Sequence, residues 1–285
     1  MSTSIRRSVE RYWLIFFFIS LGLFMLIFKI SPLRLANTIR VLQFWQIIVI
    51  LSFYTLISTL QILSRGYLFR LLGSKSSWKN IILIHFSSMA AHYSSPAKLG
   101  FPLSVFLFNK LDGIPYPIGT AMVTTELFVS TGICGIFAFV GSLFFFSIRG
   151  TLLLLGLVIG GSGLAFLGIL MAKANTHEGK VWAFFKEMKH AFSNVSPRSA
   201  ILYCLFRALI QITSGISFAV LAHFFLYNLK IWEAVIVTSS AFFIGAISFI
   251  PMGLGVREGS VLFYLGYLGV PGNISLSIVT VNRLI

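Results

Sequence analysis

The chain has 285 residues, of which 57% are hydrophobic and only 10% are charged. Soluble domains carry about 25% charged residues, and a membrane β-strand needs only about ten residues, fewer than the apolar runs found here. The composition therefore excludes an ordinary soluble domain and predicts an all-α polytopic membrane protein, with a single integral membrane domain over 1–285. The formal net charge of +15 lies mostly between apolar runs, which indicates contact with anionic lipid headgroups and argues against a nucleic-acid partner.

The apolar runs predict about 7–8 membrane segments. Basic residues precede the first run, which is too long for a usual signal peptide and is interpreted as a transmembrane helix. In chain order, helices are predicted at about 12–30, 44–63, 118–147, 151–172, 199–227 and 232–250, with shorter apolar pieces at 260–270 and 273–285. The segment 64–79 is predicted to be a basic loop, and 173–198 is predicted to contain an amphipathic helix on the cytoplasmic surface.

The distribution of Lys and Arg places the N-terminus, 64–79 and 173–198 on the cytoplasmic side of a plasma membrane, although the basic linker 31–43 then lies outside, against the rule. The irregular region 80–108 must then begin and end on the same side. Its second arm has about half of the roughly 20 residues that a full span requires. We therefore predict a re-entrant hairpin with its tip near Pro96.

A second interrupted region, 249–259, combines helix-breaking residues with the adjacent charges of Arg257 and Glu258. Non-helical backbone at membrane depth is tolerated only where it is buried in protein or lines a polar cavity, and ionisable groups there usually serve function. A second re-entrant hairpin is therefore predicted, and an interfacial loop is the alternative. The hairpin-forming residues are Pro96 and Gly100 in the first hairpin and Pro251, Gly253, Gly255 and Gly259 in the second.

The two interrupted regions resemble each other in sequence. The order Pro-x-x-Leu-Gly stands at 96–100 and again at 251–255, and Gly-x-Pro follows at 113–115 and 269–271. Interrupted hydrophobic segments at corresponding positions of two halves indicate a transporter binding site. The sequence thus predicts an internal repeat with approximate halves 80–147 and 232–285, in inverted orientation. Chance similarity is the alternative, because Pro and Gly are common in membrane helices.

The candidate residues for lipid binding and transport are Arg257, Glu258, Glu126, Arg207, Arg283 and Lys98. An arginine beside a carboxylate stays charged in a polar cavity and suits a lipid phosphate, whereas the alternative for the Arg257–Glu258 neighbours is a structural ion pair. Glu126 is expected either to pair with Arg207 or Arg283 or to act as a proton-coupled carboxylate. Lys98 would neutralise a headgroup or extend to the interface.

Two further polar patterns lie at helical spacing. Gln211, Ser214 and Ser217 share a helix face with Arg207, which predicts either a polar groove or interhelical hydrogen bonds. His85, Ser88, His92 and Ser95 also share a face. No carboxylate or cysteine stands near them to complete a metal site, and packing or interfacial histidines are favoured over a proton relay. The two cysteines, Cys134 and Cys204, are interpreted as packing residues. No metal site and no cofactor are predicted.

The segment Pro-Met-Gly-Leu-Gly-Val-Arg-Glu-Gly at 251–259, with Leu-Gly-Val-Pro at 268–271 and Asn-Arg at 282–283, resembles the flippase-like family that includes the transmembrane region of lysylphosphatidylglycerol synthases. A weaker match runs from 96–100 to Glu126. The resemblance covers most of the chain and implies an integral membrane protein that binds or moves lipids. Many relatives carry an acidic residue and an arginine just after the first Pro-x-x-x-Gly, where this chain has other residues.

The sequence and the resemblance together predict a lipid flippase or transporter. Its substrate would be an anionic or aminoacylated phospholipid or a polyprenyl-phosphate-linked lipid. One alternative is an intramembrane lipid-modifying transferase, although no catalytic residue set, soluble catalytic domain or nucleotide-binding motif is found in the sequence. The other is a membrane subunit that serves a separate lipid-synthesising enzyme.

Overall fold

The computed structural model of the protein describes residues 42–94, 99–145, 195–248 and 255–284, together with 186–187 and 190. These residues form eight helices and no strand, which confirms the predicted all-α class. The helices are α1 (Phe44–Leu71), α2 (Trp78–Ser94), α3 (Gly100–Asp112), α4 (Tyr116–Phe145), α5 (Pro197–Phe224), α6 (Ile231–Ile247), α7 (Val256–Tyr267) and α8 (Gly272–Leu284). The predicted helices 12–30 and 151–172 and most of 173–198 lie outside the described residues.

Three of these helices, α1, α4 and α5, are long and apolar enough to cross a membrane. They have 28, 30 and 28 residues, whereas about 20 residues suffice for a span. At the start of α5, the Ser196 hydroxyl caps the Ser199 amide and Pro197 occupies the first turn, where its missing N–H costs nothing. The polytopic membrane architecture is confirmed.

The end of α1 differs from the prediction. The expected loop began at Ser64, but the helix continues to Leu71, and Ser64, Leu68 and Phe69 are buried. The predicted helix ended before Ser64 because charged residues such as Arg65 usually mark membrane interfaces. Arg65 instead donates to the carboxylate of Glu126 inside the fold. Its charge is therefore compensated there, and the helix continues past it.

The first three helices have similar lengths in the two halves, α1–α4 and α5–α8, whereas α4 has 30 residues and α8 has 13. Helices α1 and α5 have 28 residues each and α2 and α6 have 17 each, while α3 and α7 have 13 and 12. The end of each third helix is followed by a left-handed glycine, Gly113 with φ 67° and Gly269 with φ 79°. The similarity in helix length begins before residues 80 and 232, the predicted starts of the two repeat halves, since α1 and α5 are also equal in length. The repeat, its inverted orientation and the re-entrant insertion of the hairpins stay predictions.

Two apolar clusters hold the helices together. One lies mainly between α1, α2, α3 and α4 and includes Phe69 and Phe108, whose rings meet edge to face with their centroids 4.9 Å apart. The other lies mainly between α5, α6, α7 and α8 and includes Phe218, Leu265 and Ile278. Each cluster also includes a residue from a helix of the other group, so apolar packing joins α1–α4 to α5–α8 as well.

Glycines allow the closest helix contacts. A Cβ on Gly100 would come 2.3 Å from the carbonyl oxygen of Ser88, so α3 lies directly on the backbone of α2. A Cβ on Gly141 of α4 would come 2.2 Å from the side chain of Ile236 in α6. Small residues at such positions let membrane helices approach each other closely. The resulting contacts fix α6 beside α4 and α2 beside α3.

Candidate functional site

A cavity of about 950 Å³ lies between the two halves. This volume is at the upper end of the range for small-molecule sites, about 300–1,000 Å³, and is large enough for a lipid headgroup. Helices α1 to α8 all contribute to its wall. The charged side chains on that wall are Arg65, Glu126, Arg207, Arg257, Glu258 and Arg283. Five of the six predicted transport residues thus meet in one cavity, and the sixth, Lys98, lies outside the described residues.

Glu126 of α4 connects two arginines from the central helices α1 and α5. Its Oε2 accepts hydrogen bonds from Arg65 Nε at 3.1 Å and Nη2 at 3.0 Å, and its Oε1 accepts one from Arg207 Nη1 at 3.3 Å. Only 10–16% of each of the three side chains is exposed. Charges this far from water persist because they are paired and hydrogen-bonded. The expected Glu126–Arg207 pair is present, and the expected alternative partner, Arg283, is not bonded to Glu126.

Arg65 is the site residue that the sequence analysis missed. Its distance from Glu126 is 61 positions along the chain, so no local pattern announces the pair. A signal did exist, because Ser58, Gln61 and Arg65 follow one another at i, i+3 and i+7 and all three line the cavity. That polar face would have extended the predicted helix past residue 63.

The polar stripe on α5 continues from Arg207 along the cavity wall. Arg207 Nη2 donates to the hydroxyl of Ser130, one turn after Glu126 on α4. Gln211 Nε2 donates to Ser239 Oγ at 3.0 Å, and Ser214 and Ser217 line the same cavity. The stripe therefore serves both predicted purposes, since it faces a polar cavity and also makes interhelical hydrogen bonds.

The second carboxylate of the cavity, Glu258, pairs with Arg283 of α8. Glu258 Oε1 accepts from Arg283 Nη1 at 3.0 Å, and Oε2 accepts the backbone N–H of Gly255 at 2.8 Å. Gly255 has φ 79°, a conformation that favours glycine, and it begins α7. Glu258 therefore caps α7 and ties it to α8. The pairing differs from the structural alternative considered for the sequence, in which Glu258 would have paired with its neighbour Arg257.

Arg257 stands apart from both networks. It lines the cavity, and in the described part of the chain no hydrogen bond or ion pair holds its side chain. A guanidinium group has five N–H donors in a planar fork that matches carboxylate or phosphate. Arg257 is therefore the cavity cation that is most open to a ligand.

The hairpin-forming residues divide between described and undescribed positions. Gly100 and Gly255 lie at the starts of α3 and α7, and Gly259 lies in the first turn of α7 with no atom within 4 Å of its Cβ position. Pro96, Pro251 and Gly253 lie outside the described residues.

His85 also lines the cavity, with only 2% of its surface exposed. Its ring packs edge to face on Phe86 at 5.3 Å, and neither ring nitrogen has a hydrogen-bond partner among the described residues. In the same ranges, no group of three His, Cys, Asp or Glu side chains is arranged to hold a metal ion.

Apolar spanning helices around a buried, arginine-rich cavity define the class of this molecule as a polytopic membrane protein with an internal polar site. The family described as "Lysylphosphatidylglycerol synthase TM region" matches residues 13–285. The chain belongs to this family, which relates it to lipid modification or transport. No curated protein and no solved structure matches the chain.

Proposed function

We propose that the protein binds the headgroup of a membrane lipid in the central cavity and carries it across the plasma membrane, with its N-terminus on the cytoplasmic side. The observation that carries this proposal is the meeting of Arg65, Arg207, Arg257 and Arg283 in one buried cavity. Buried cations in a membrane are costly, so a cluster of them indicates an anionic ligand. Membership of the family supports a lipid as that ligand.

In this proposal the headgroup phosphate binds to guanidinium groups, which offer paired N–H donors to phosphate oxygens. The acyl chains stay in the surrounding lipid beside exposed apolar side chains such as Phe128 and Phe144. The candidate substrates are an anionic or aminoacylated phospholipid and a polyprenyl-phosphate-linked lipid. Lys98 would add a further cation near the first hairpin.

The test is lipid translocation in reconstituted vesicles. Lipids carrying a fluorophore on one acyl chain are added, and a membrane-impermeant reductant reports the fraction in the outer leaflet. We expect Arg257→Gln to slow translocation about tenfold or more, because one charge-assisted hydrogen-bonding group is worth about 1.5–3 kcal/mol. Arg198→Gln, which removes the same charge from an exposed position on α5, is the control and should transport normally. Unchanged transport by Arg257→Gln would contradict the proposal.

The second candidate function is a membrane subunit that presents a lipid to a separate lipid-modifying enzyme. The observation that favours it is the family itself, which is described by a synthase. The same vesicles separate the two functions. Lipid binding without movement between leaflets, together with stoichiometric co-purification of a lipid-synthesising enzyme, would favour the subunit.

A further inference from the structure

The cavity wall carries more positive than negative charge. Four arginines and two glutamates line it in the described part of the chain, which gives a net excess of two positive charges. We propose that the cavity selects a lipid phosphate headgroup that bears no amino group and rejects one that carries an ammonium group. This inference rests on the proposed function and narrows its substrate class to lipids with net negative headgroups, such as phosphatidylglycerol or a polyprenyl phosphate.

The carboxylate oxygens of the cavity are already engaged. Both oxygens of Glu126 accept from arginines, with Arg65 on one and Arg207 on the other. Glu258 uses one oxygen for Arg283 and the other for the backbone of Gly255. A lysyl or ethanolamine group would therefore meet carboxylates whose charge is already neutralised by guanidinium groups, and would bring a further positive charge beside those groups.

Several N–H donors of the cavity, in contrast, have no hydrogen-bond acceptor among the described residues. Arg65 gives Nε and Nη2 to Glu126, while its buried Nη1 has no hydrogen-bond partner among the described residues. Arg257 has its whole guanidinium group available within the same ranges. The ring nitrogens of His85 are likewise without a partner there. Buried donors without acceptors are costly, so an incoming phosphate, with several acceptor oxygens and no donor, satisfies what the cavity lacks.

The other acidic side chains that the structure describes do not line the cavity. The whole chain has only seven acidic residues. Asp112 accepts from Ser76 and Asn80, and Glu233 caps the first turn of α6; neither lines the cavity. An ammonium group entering the cavity would therefore meet uncompensated guanidinium charge, and like-charge contacts of this kind exclude wrong ligands effectively.

The experiment compares lipids that share their acyl chains and whose headgroups differ in net charge. The full-length protein in nanodiscs binds acyl-labelled phosphatidylglycerol, phosphatidylcholine or lysylphosphatidylglycerol, and affinity is measured by competition against unlabelled lipids. We expect phosphatidylglycerol to bind at least about tenfold more tightly than the lysylated lipid. Glycerol 3-phosphate is the soluble competitor, and displacement at the concentration at which phosphatidylglycerol acts would show a site for free phosphate and overturn the lipid assignment.

Reversing the charge at Arg257 provides a second test of headgroup selectivity. Arg257→Glu removes one positive charge and adds one negative charge, so it should lower the preference for phosphatidylglycerol at least about tenfold and raise relative binding of the lysylated lipid. Arg257→Gln, which is easier to accommodate, should give an intermediate preference, and Arg198→Gln should leave it unchanged. Equal or tighter binding of the lysylated lipid by the unaltered protein overturns this inference while the proposed function stands. Binding of none of the lipids overturns both.

Discussion

Replacing Glu126 by Gln should destabilise the protein by about 3 kcal/mol. The substitution keeps the size of the side chain and removes the one charge that Arg65 and Arg207 share. The two guanidinium groups bond different oxygens of that carboxylate, so they lie roughly 5–8 Å apart and, without the carboxylate charge between them, repel by about 2–3 kcal/mol at an effective dielectric constant of about 20. The three side chains are mostly buried, so water would relieve little of this repulsion.

The assay is unfolding of the purified protein in mixed micelles, followed by tryptophan fluorescence as the fraction of denaturing detergent rises. The matched control is the triple variant Arg65→Met, Glu126→Leu and Arg207→Met, which removes the whole charged group. It should recover stability to within about 1 kcal/mol of the unaltered protein, because an apolar replacement of a complete buried ion network is often neutral. The same variant should fail to bind lipid. The reasoning is refuted if Glu126→Gln unfolds within about 0.5 kcal/mol of the unaltered protein.

Further substitutions test the helix packing at Gly100 and the hydrogen bonds of Asp112. Gly100→Ala should cost about 2 kcal/mol or more in the same unfolding assay, because its Cβ would press on the backbone of α2. Gly132→Ala, at an open position on α4, should instead stabilise by about 0.5–1 kcal/mol, and equal effects at the two glycines would contradict this account. Asp112→Ala should cost about 1–2 kcal/mol, because it leaves Ser76 and Asn80 without their acceptor at 2.6 Å; Ser76→Ala combined with it should add little further loss.

The elements that the sequence predicted well are those set by local apolar length. The predicted helices 118–147 and 199–227 lie within a few residues of α4 and α5, because a long apolar run leaves a membrane chain no alternative to a helix, even where it carries a single charge such as Glu126 or Arg207. The predicted helix 44–63 ended too early for the converse reason. The sequence shows that Arg65 is charged, but it does not show that Arg65 bonds the carboxylate of Glu126 on α4.

The sequence identified charged residues that line one cavity, but it did not predict all of their pairings. Intramembrane charge alone singled out Glu126, Arg207, Glu258 and Arg283, since each interrupts an apolar segment. Which acid meets which base depends on how the helices pack, and that is a tertiary property. Glu258 faces Arg283 because α7 and α8 form a hairpin, whereas its chain neighbour Arg257 points elsewhere on the helix surface, as adjacent residues on a helix do.

The contact of Gly100 with the backbone of α2 has a mechanical consequence. Two helices joined this closely cannot slide or rotate against each other without separating first, so α2 and α3 would travel as one rigid body. Any rearrangement of this half must then pivot at its ends, in the short links 72–77 and 113–115. Gly73 and Gly113 lie there in left-handed conformations with open space around their Cβ positions. We expect a pair of spectroscopic distance probes placed across either link to register any such rearrangement.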